Sequence, residues 1–114
     1  MAAHIDLAYL ERLYKGDRAR MEHWVRVYLE DAPSLYDRLV SSVQRGDTQG
    51  LTTTVHDLRP LAHYLGAQGL LDLLVRVGQE AHAKGAAGCY PAVAEIVALG
   101  ESIKAELVSA FGPG

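Results

Sequence analysis

Cysteine is nearly absent: Cys89 is the only one in 114 residues, beside a single tryptophan and a single phenylalanine. One thiol closes no intramolecular disulfide and builds no cysteine cage around a metal. That usage fits a reducing compartment, so a cytoplasmic location is expected. Positive charge is not in excess either. Lys and Arg number 11 against 14 Asp and Glu, giving a net charge of −3. This argues against a nucleic-acid binder, which would carry a basic surface. No apolar run approaches the roughly 18 residues that a membrane span requires. The segment Met1–Asp6 has neither a charged leader nor an apolar stretch, so no signal peptide is expected there. There is no glycine-rich phosphate loop, so the chain is not expected to take phosphate from ATP itself. What remains is ordinary globular composition, 49% hydrophobic and 22% charged. A chain of this length buries roughly two-thirds of its unfolded surface. A single domain over residues 1–114 is expected, without disulfide or metal staple, and with residues 1–5 and 112–114 frayed.

No segment alternates with the period of a strand. Punctuation falls at Gly16-Asp17, Gly46-Asp47, Gly66 and Gly85–Gly88, and the stretches between carry helical period. Asp6 is placed to cap a short helix over 7–14, with Ile5 stapling against Leu10 and Gly16 ending the helix. Asp17 caps the next. Met21, Val25, Tyr28, Ala32, Leu35, Leu39 and Val43 then follow at steps of 3 or 4. Their phase survives Pro33, which predicts one long helix kinked there; the rival is a new helix opening at Pro33. Leu51, Val55, Leu58, Ala62 and Leu65 mark a third helix from Asp47 to Leu65, closed by Gly66. Leu70, Leu74, Val77 and Ala81 mark a fourth over 67–84. Val93, Ile96, Gly100, Ile103, Leu107 and Phe111 mark a fifth that opens at Pro91. Four long amphipathic helices joined by short connections predict an all-α, antiparallel up-down four-helix bundle with a short N-terminal capping helix.

The third helix carries a second line that its core stripe does not explain. Thr52, His56, Arg59 and His63 follow at steps of 4, 3 and 4, so they share a ridge about 100° from the apolar stripe. The plain reading of such a ridge is a solvated helix face. The segment around it reads His56-Asp57-Leu58-Arg59-Pro60-Leu61-Ala62-His63-Tyr64-Leu65-Gly66-Ala67. It resembles the histidine-containing phosphotransfer (HPt) family, in which His, any residue, Leu, Lys and a small residue precede Leu-Gly-Ala. His56, Leu58, Leu65, Gly66 and Ala67 fall in register, and Arg59 keeps the charge of the Lys. Upstream, Tyr28-Leu29-Glu30-Asp31-Ala32-Pro33 is similar to the family's aromatic-Leu-x-x-x-Pro segment. The resemblance covers nearly the whole chain and implies the same four-helix bundle.

It also implies that His56 accepts a phosphoryl group and passes it between aspartates of response-regulator receiver domains, or takes it from a hybrid histidine kinase. An ordinary exposed imidazole is roughly three-quarters neutral at pH 7, and the neutral ring nitrogen is the nucleophile. Arg59, one turn on, is placed to pair with phosphoryl oxygens. No cofactor is expected on this chain; the Mg²⁺ of the reaction is expected on the receiver. Thr52, Pro60, His63 and Tyr64 are the expected docking residues, with Leu61 flanking and Tyr28, Tyr36 and Val40 contributing from the preceding helix. A monomer is expected.

Three positions depart from the family pattern. Pro60 stands where a small residue is usual. It removes the N–H that would bond the His56 carbonyl, at a cost of about 3 kcal/mol unless the helix bends, so a kink is expected there. Gly78 stands where Glu or Gln often faces the histidine, leaving the adjacent Gln79 as the candidate to orient the imidazole. His63 has no counterpart. The alternative function is therefore a degenerate module that docks receivers or kinases without being phosphorylated. A metal site is disfavoured, because His56 and His63 lie about 10 Å apart along the helix axis. Cys89 has no basic neighbour to lower its pKa and reads as a helix-start residue.

Overall fold

The computed structural model describes residues 4–112 and is all helical. Its elements are α1 (Leu7–Leu13), α2 (Arg18–Arg45), α3 (Thr48–Tyr64), α4 (Gln68–Lys84) and α5 (Tyr90–Phe111), with a 3₁₀ turn over Ala86–Cys89 before α5. The four long helices form a bundle in which α2 neighbours α3 and α5, and α4 neighbours the same two. The 28 residues of α2 span about 42 Å at the usual helical rise, which is the molecule's longest dimension, 42 Å. Among the described residues, no helix is long and apolar enough to cross a membrane.

The helix starts follow from the aspartates. Asp6, Asp17 and Asp47 each accept a hydrogen bond from the backbone N–H three residues on, at 3.0, 3.2 and 2.9 Å. Each satisfies a donor that the first helical turn cannot satisfy internally. α4 begins without such a cap, at Ala67. The stripes read from sequence form the core: Leu39, Leu51, Leu58, Leu70, Leu74, Ile96, Ile103 and Leu107 are fully buried. Burying a leucine or isoleucine side chain in this way is worth about 1.5–3 kcal/mol.

Pro33 lies inside a continuous α2, so the single-helix reading holds over the two-helix rival. Three local expectations fail. Ile5 and Leu10 are both buried but in separate clusters, so they form no staple. Ile5 packs into the main core, and its N–H and that of His4 bond the Glu106 carboxylate at 3.3 and 2.8 Å. Residues 4 and 5 are thus held rather than frayed, a tie that needs the distant end of α5. Residues 1–3 and 113–114, also expected to fray, lie outside the described residues. Finally, the first left-handed residue after α1 is Lys15, at φ 54°, ahead of Gly16.

Candidate functional site

The ridge is carried by α3. Asp47 anchors its start, and Leu51, Val55, Leu58 and Ala62 hold its inner face in the core. That leaves His56, Arg59 and His63 exposed and Thr52 half-buried, as their shared register requires. The Thr52 hydroxyl donates to the Gln49 carbonyl at 3.1 Å. Pro60 is exposed, and the helix runs through it without a break. The His56 carbonyl therefore loses its usual partner four residues on. α3 ends in a Schellman turn: Gly66 N–H bonds His63 O at 3.1 Å and Ala67 N–H bonds Ala62 O at 2.9 Å. Gly66 has two reasons to be glycine. Its φ is +64°, and a Cβ would meet Cδ2 of Tyr9 on α1 at 2.7 Å. The same approach sets the Tyr9 ring edge-on to His63, with centroids 6.4 Å apart.

The neighbouring helices frame the ridge unequally. On one side, Gly78 of α4 faces α3, where a Cβ would stand 3.8 Å from Val55 Cγ1. On the other, Asp57 of α3 pairs with Arg38 of α2 at 3.7 Å. Both groups of that pair are about half exposed, so it contributes little stability. Its electrostatic effect is to occupy the one carboxylate adjacent in sequence to His56. Among the described residues, no hydrogen bond or ion pair engages the side chain of His56, Arg59 or His63. Gln79 is exposed on α4 and makes no bond to His56, so the expected orienter does not orient the ring in this structure.

Several expected docking residues are placed elsewhere. Leu61 is buried rather than flanking the ridge. Tyr64 is half-buried and stacks on Trp24, with ring centroids 4.5 Å apart and planes 16° from parallel. Its carbonyl accepts from the Tyr14 hydroxyl at 3.3 Å. Tyr28 is buried, and its hydroxyl lies 2.7 Å from that of Tyr36 and 3.4 Å from the Gly100 carbonyl on α5. Both tyrosines belong to the α2–α5 groove, not to the ridge. Burial pushes the pKa of each above the ordinary tyrosine value. Val40 is half-buried against the core. Cys89 is fully buried, donates to the Gly85 carbonyl at 3.5 Å, and has its thiol pKa raised by burial. It is an inert packing residue.

Sequence reasoning missed Arg38 and the Trp24–Tyr64 stack. Neither lies in the histidine segment, and pairing between helices depends on which helices become neighbours. Tyr64 did carry a signal, since it falls about 100° off its own helix's ridge. No family model, curated protein or solved structure matches this chain.

Proposed function

We propose that this chain is a histidine phosphotransfer domain of a cytoplasmic phosphorelay, with His56 as the phosphoryl carrier. The observation that carries the reading is the exposed, unpartnered imidazole of His56 in mid-helix, one turn from an unpaired Arg59. A mid-helix ridge gives a convex, rigid presentation that reaches into another protein's acidic pocket. In the forward step, a neutral imidazole nitrogen attacks phosphorus of the receiver's aspartyl phosphate. The N–P bond forms, the P–O bond to the aspartate breaks, and the carboxylate leaves with that electron pair. The ring's other nitrogen sheds its proton to solvent. Arg59 offsets the added negative charge through its guanidinium. The receiver supplies Mg²⁺ and the acidic pocket, and the reverse step reloads a second receiver.

Pro60, exposed one turn beyond His56, and the unengaged Gln79 favour a second reading. In that reading the domain docks receivers or kinases without being phosphorylated. The test is phosphoryl transfer from a panel of phosphorylated receiver domains, with His56→Gln alongside and receiver binding measured separately. Acid-labile label lost in His56→Gln is the expected result. Binding without label moves the assignment to the docking module. Neither label nor binding overturns both readings.

A further inference from the structure

Away from the ridge, α2 and the start of α3 enclose an open polar cleft of about 490 Å³. Arg38, Ser41, Ser42 and Arg45 line it from α2, at the spacing that puts them on one helix face. Gly50 and Thr53 line it from α3. Two arginines face one lining carboxylate, Asp47, so the wall is net positive in a chain of net charge −3. One oxygen of Asp47 caps Gly50 N–H and the carboxylate keeps its charge, which the two guanidinium groups outweigh; Arg38 is shared weakly with Asp57. Arg45 has no acidic partner among the described residues.

Ser42 is the telling residue. It is only 3% exposed, and no hydrogen bond engages its hydroxyl among the described residues. The Oγ lies at the start of α3, where a Cβ on Gly50 would meet the Asp47 carboxylate first and the Ser42 oxygen at 3.0 Å. No fully enclosed side-chain polar atom lacks a partner, so this hydroxyl meets the open cleft. Because the oxygen reaches the cleft, its donor and acceptor capacity is open to water or to a ligand bound there. The more exposed hydroxyls of Ser41 and Thr53 also make no hydrogen bond among the described residues. Guanidinium forks and hydroxyls converging from two helices suit an acceptor with several oxygens in different directions, which is a tetrahedral oxyanion rather than a planar carboxylate.

We propose that this cleft binds phosphate or the phosphate group of a small phosphomonoester. His56 does not line this cleft, and the proposal does not depend on phosphotransfer.

The experiment is a titration of the full chain with inorganic phosphate in chloride buffer, followed by amide chemical shifts, and repeated with ribose 5-phosphate. Saturable shifts confined to residues 38–54 are expected. Ser42→Ala and Arg45→Gln are each expected to weaken binding about tenfold, with unchanged melting temperatures. Arg26→Ala, an equal loss of charge elsewhere on α2, leaves affinity unchanged. Tighter binding of the sugar phosphate identifies a phosphomonoester as the ligand; equal binding identifies the free anion. Shifts that grow linearly without saturation, or equal losses in Arg26→Ala and Arg45→Gln, overturn the proposal. So does unaltered affinity in both folded cleft variants.

Discussion

The seam between α2 and α5 and the seam between α3 and α4 each close around a glycine, and they differ in what the glycine admits. Gly100 admits an aromatic ring: a Cβ there would meet Tyr36 Cζ at 2.5 Å. At Gly78 a Cβ would stand 3.8 Å from Val55 Cγ1, an ordinary van der Waals contact. At the first seam the polar atoms satisfy one another, through the Tyr28–Tyr36 hydroxyl pair and the Gly100 carbonyl. At the second, the adjoining ridge leaves the side chains of His56, Arg59 and His63 unbonded among the described residues, and only Thr52 is satisfied, by the Gln49 carbonyl. Neighbouring seams of one bundle thus serve different ends. The tyrosine seam is closed on itself, whereas His56, Arg59 and His63 carry side chains that no hydrogen bond or ion pair engages among the described residues.

The sharpest challenge to that contrast is Pro60→Ala. Restoring the N–H beneath the His56 carbonyl is expected to raise stability by about 2–3 kcal/mol, read by denaturant unfolding. No gain would mean that the ridge carries no backbone cost and is ordinary helix. Next is the glycine comparison. Gly100→Ala is expected to destabilise by about 2 kcal/mol, because the Tyr36 ring is held by its bond to Tyr28 and cannot swing away freely. Gly78→Ala is expected to stabilise by about 0.5–1 kcal/mol, since alanine favours a helix and space is open. Equal signs for the two variants would erase the distinction between the seams.

Tyr28→Phe is expected to cost about 1 kcal/mol for the lost hydroxyl pair. Its pH dependence sharpens the test. An unfolded tyrosine ionises near pH 10, whereas burial holds Tyr28 and Tyr36 protonated above that. The unfolded chain therefore binds fewer protons in alkali, and stability that is complete below about pH 10 falls as pH rises further. Tyr28→Phe should flatten that fall in chemical unfolding between about pH 9 and 11. An unchanged slope would place the two hydroxyls in solvent.

Much of the fold was legible because helical period and caps are local. The aspartates at 6, 17 and 47 and the stripes on α2–α5 are each read within a few residues of sequence. The His56–Arg59–His63 line was legible for the same reason. The errors cluster where one helix meets another. Tyr28, Tyr36, Leu61 and Tyr64 were assigned to an exposed docking face, because a periodic pattern tells which way a side chain points but not what stands opposite. Tyr28 found α5, and Tyr64 found Trp24. Ile5 was read as frayed because its anchor, Glu106, lies about a hundred residues away in the chain.

By itself, then, the sequence determined which residues form the five helices, where they start and stop to within a residue or two, and which line of α3 carries two histidines and an arginine. Those outcomes follow from capping chemistry and from the 3.6-residue repeat, which act over one or two turns. Only the tertiary structure decided that Asp57 is occupied by Arg38 while Arg59 is not, that the tyrosines of α2 close on α5, and that Ser42 faces an open cleft with its hydroxyl unbonded. Those are properties of neighbours brought together by burying a shared core, and the core fixes helix against helix without regard to the polar groups it carries alongside.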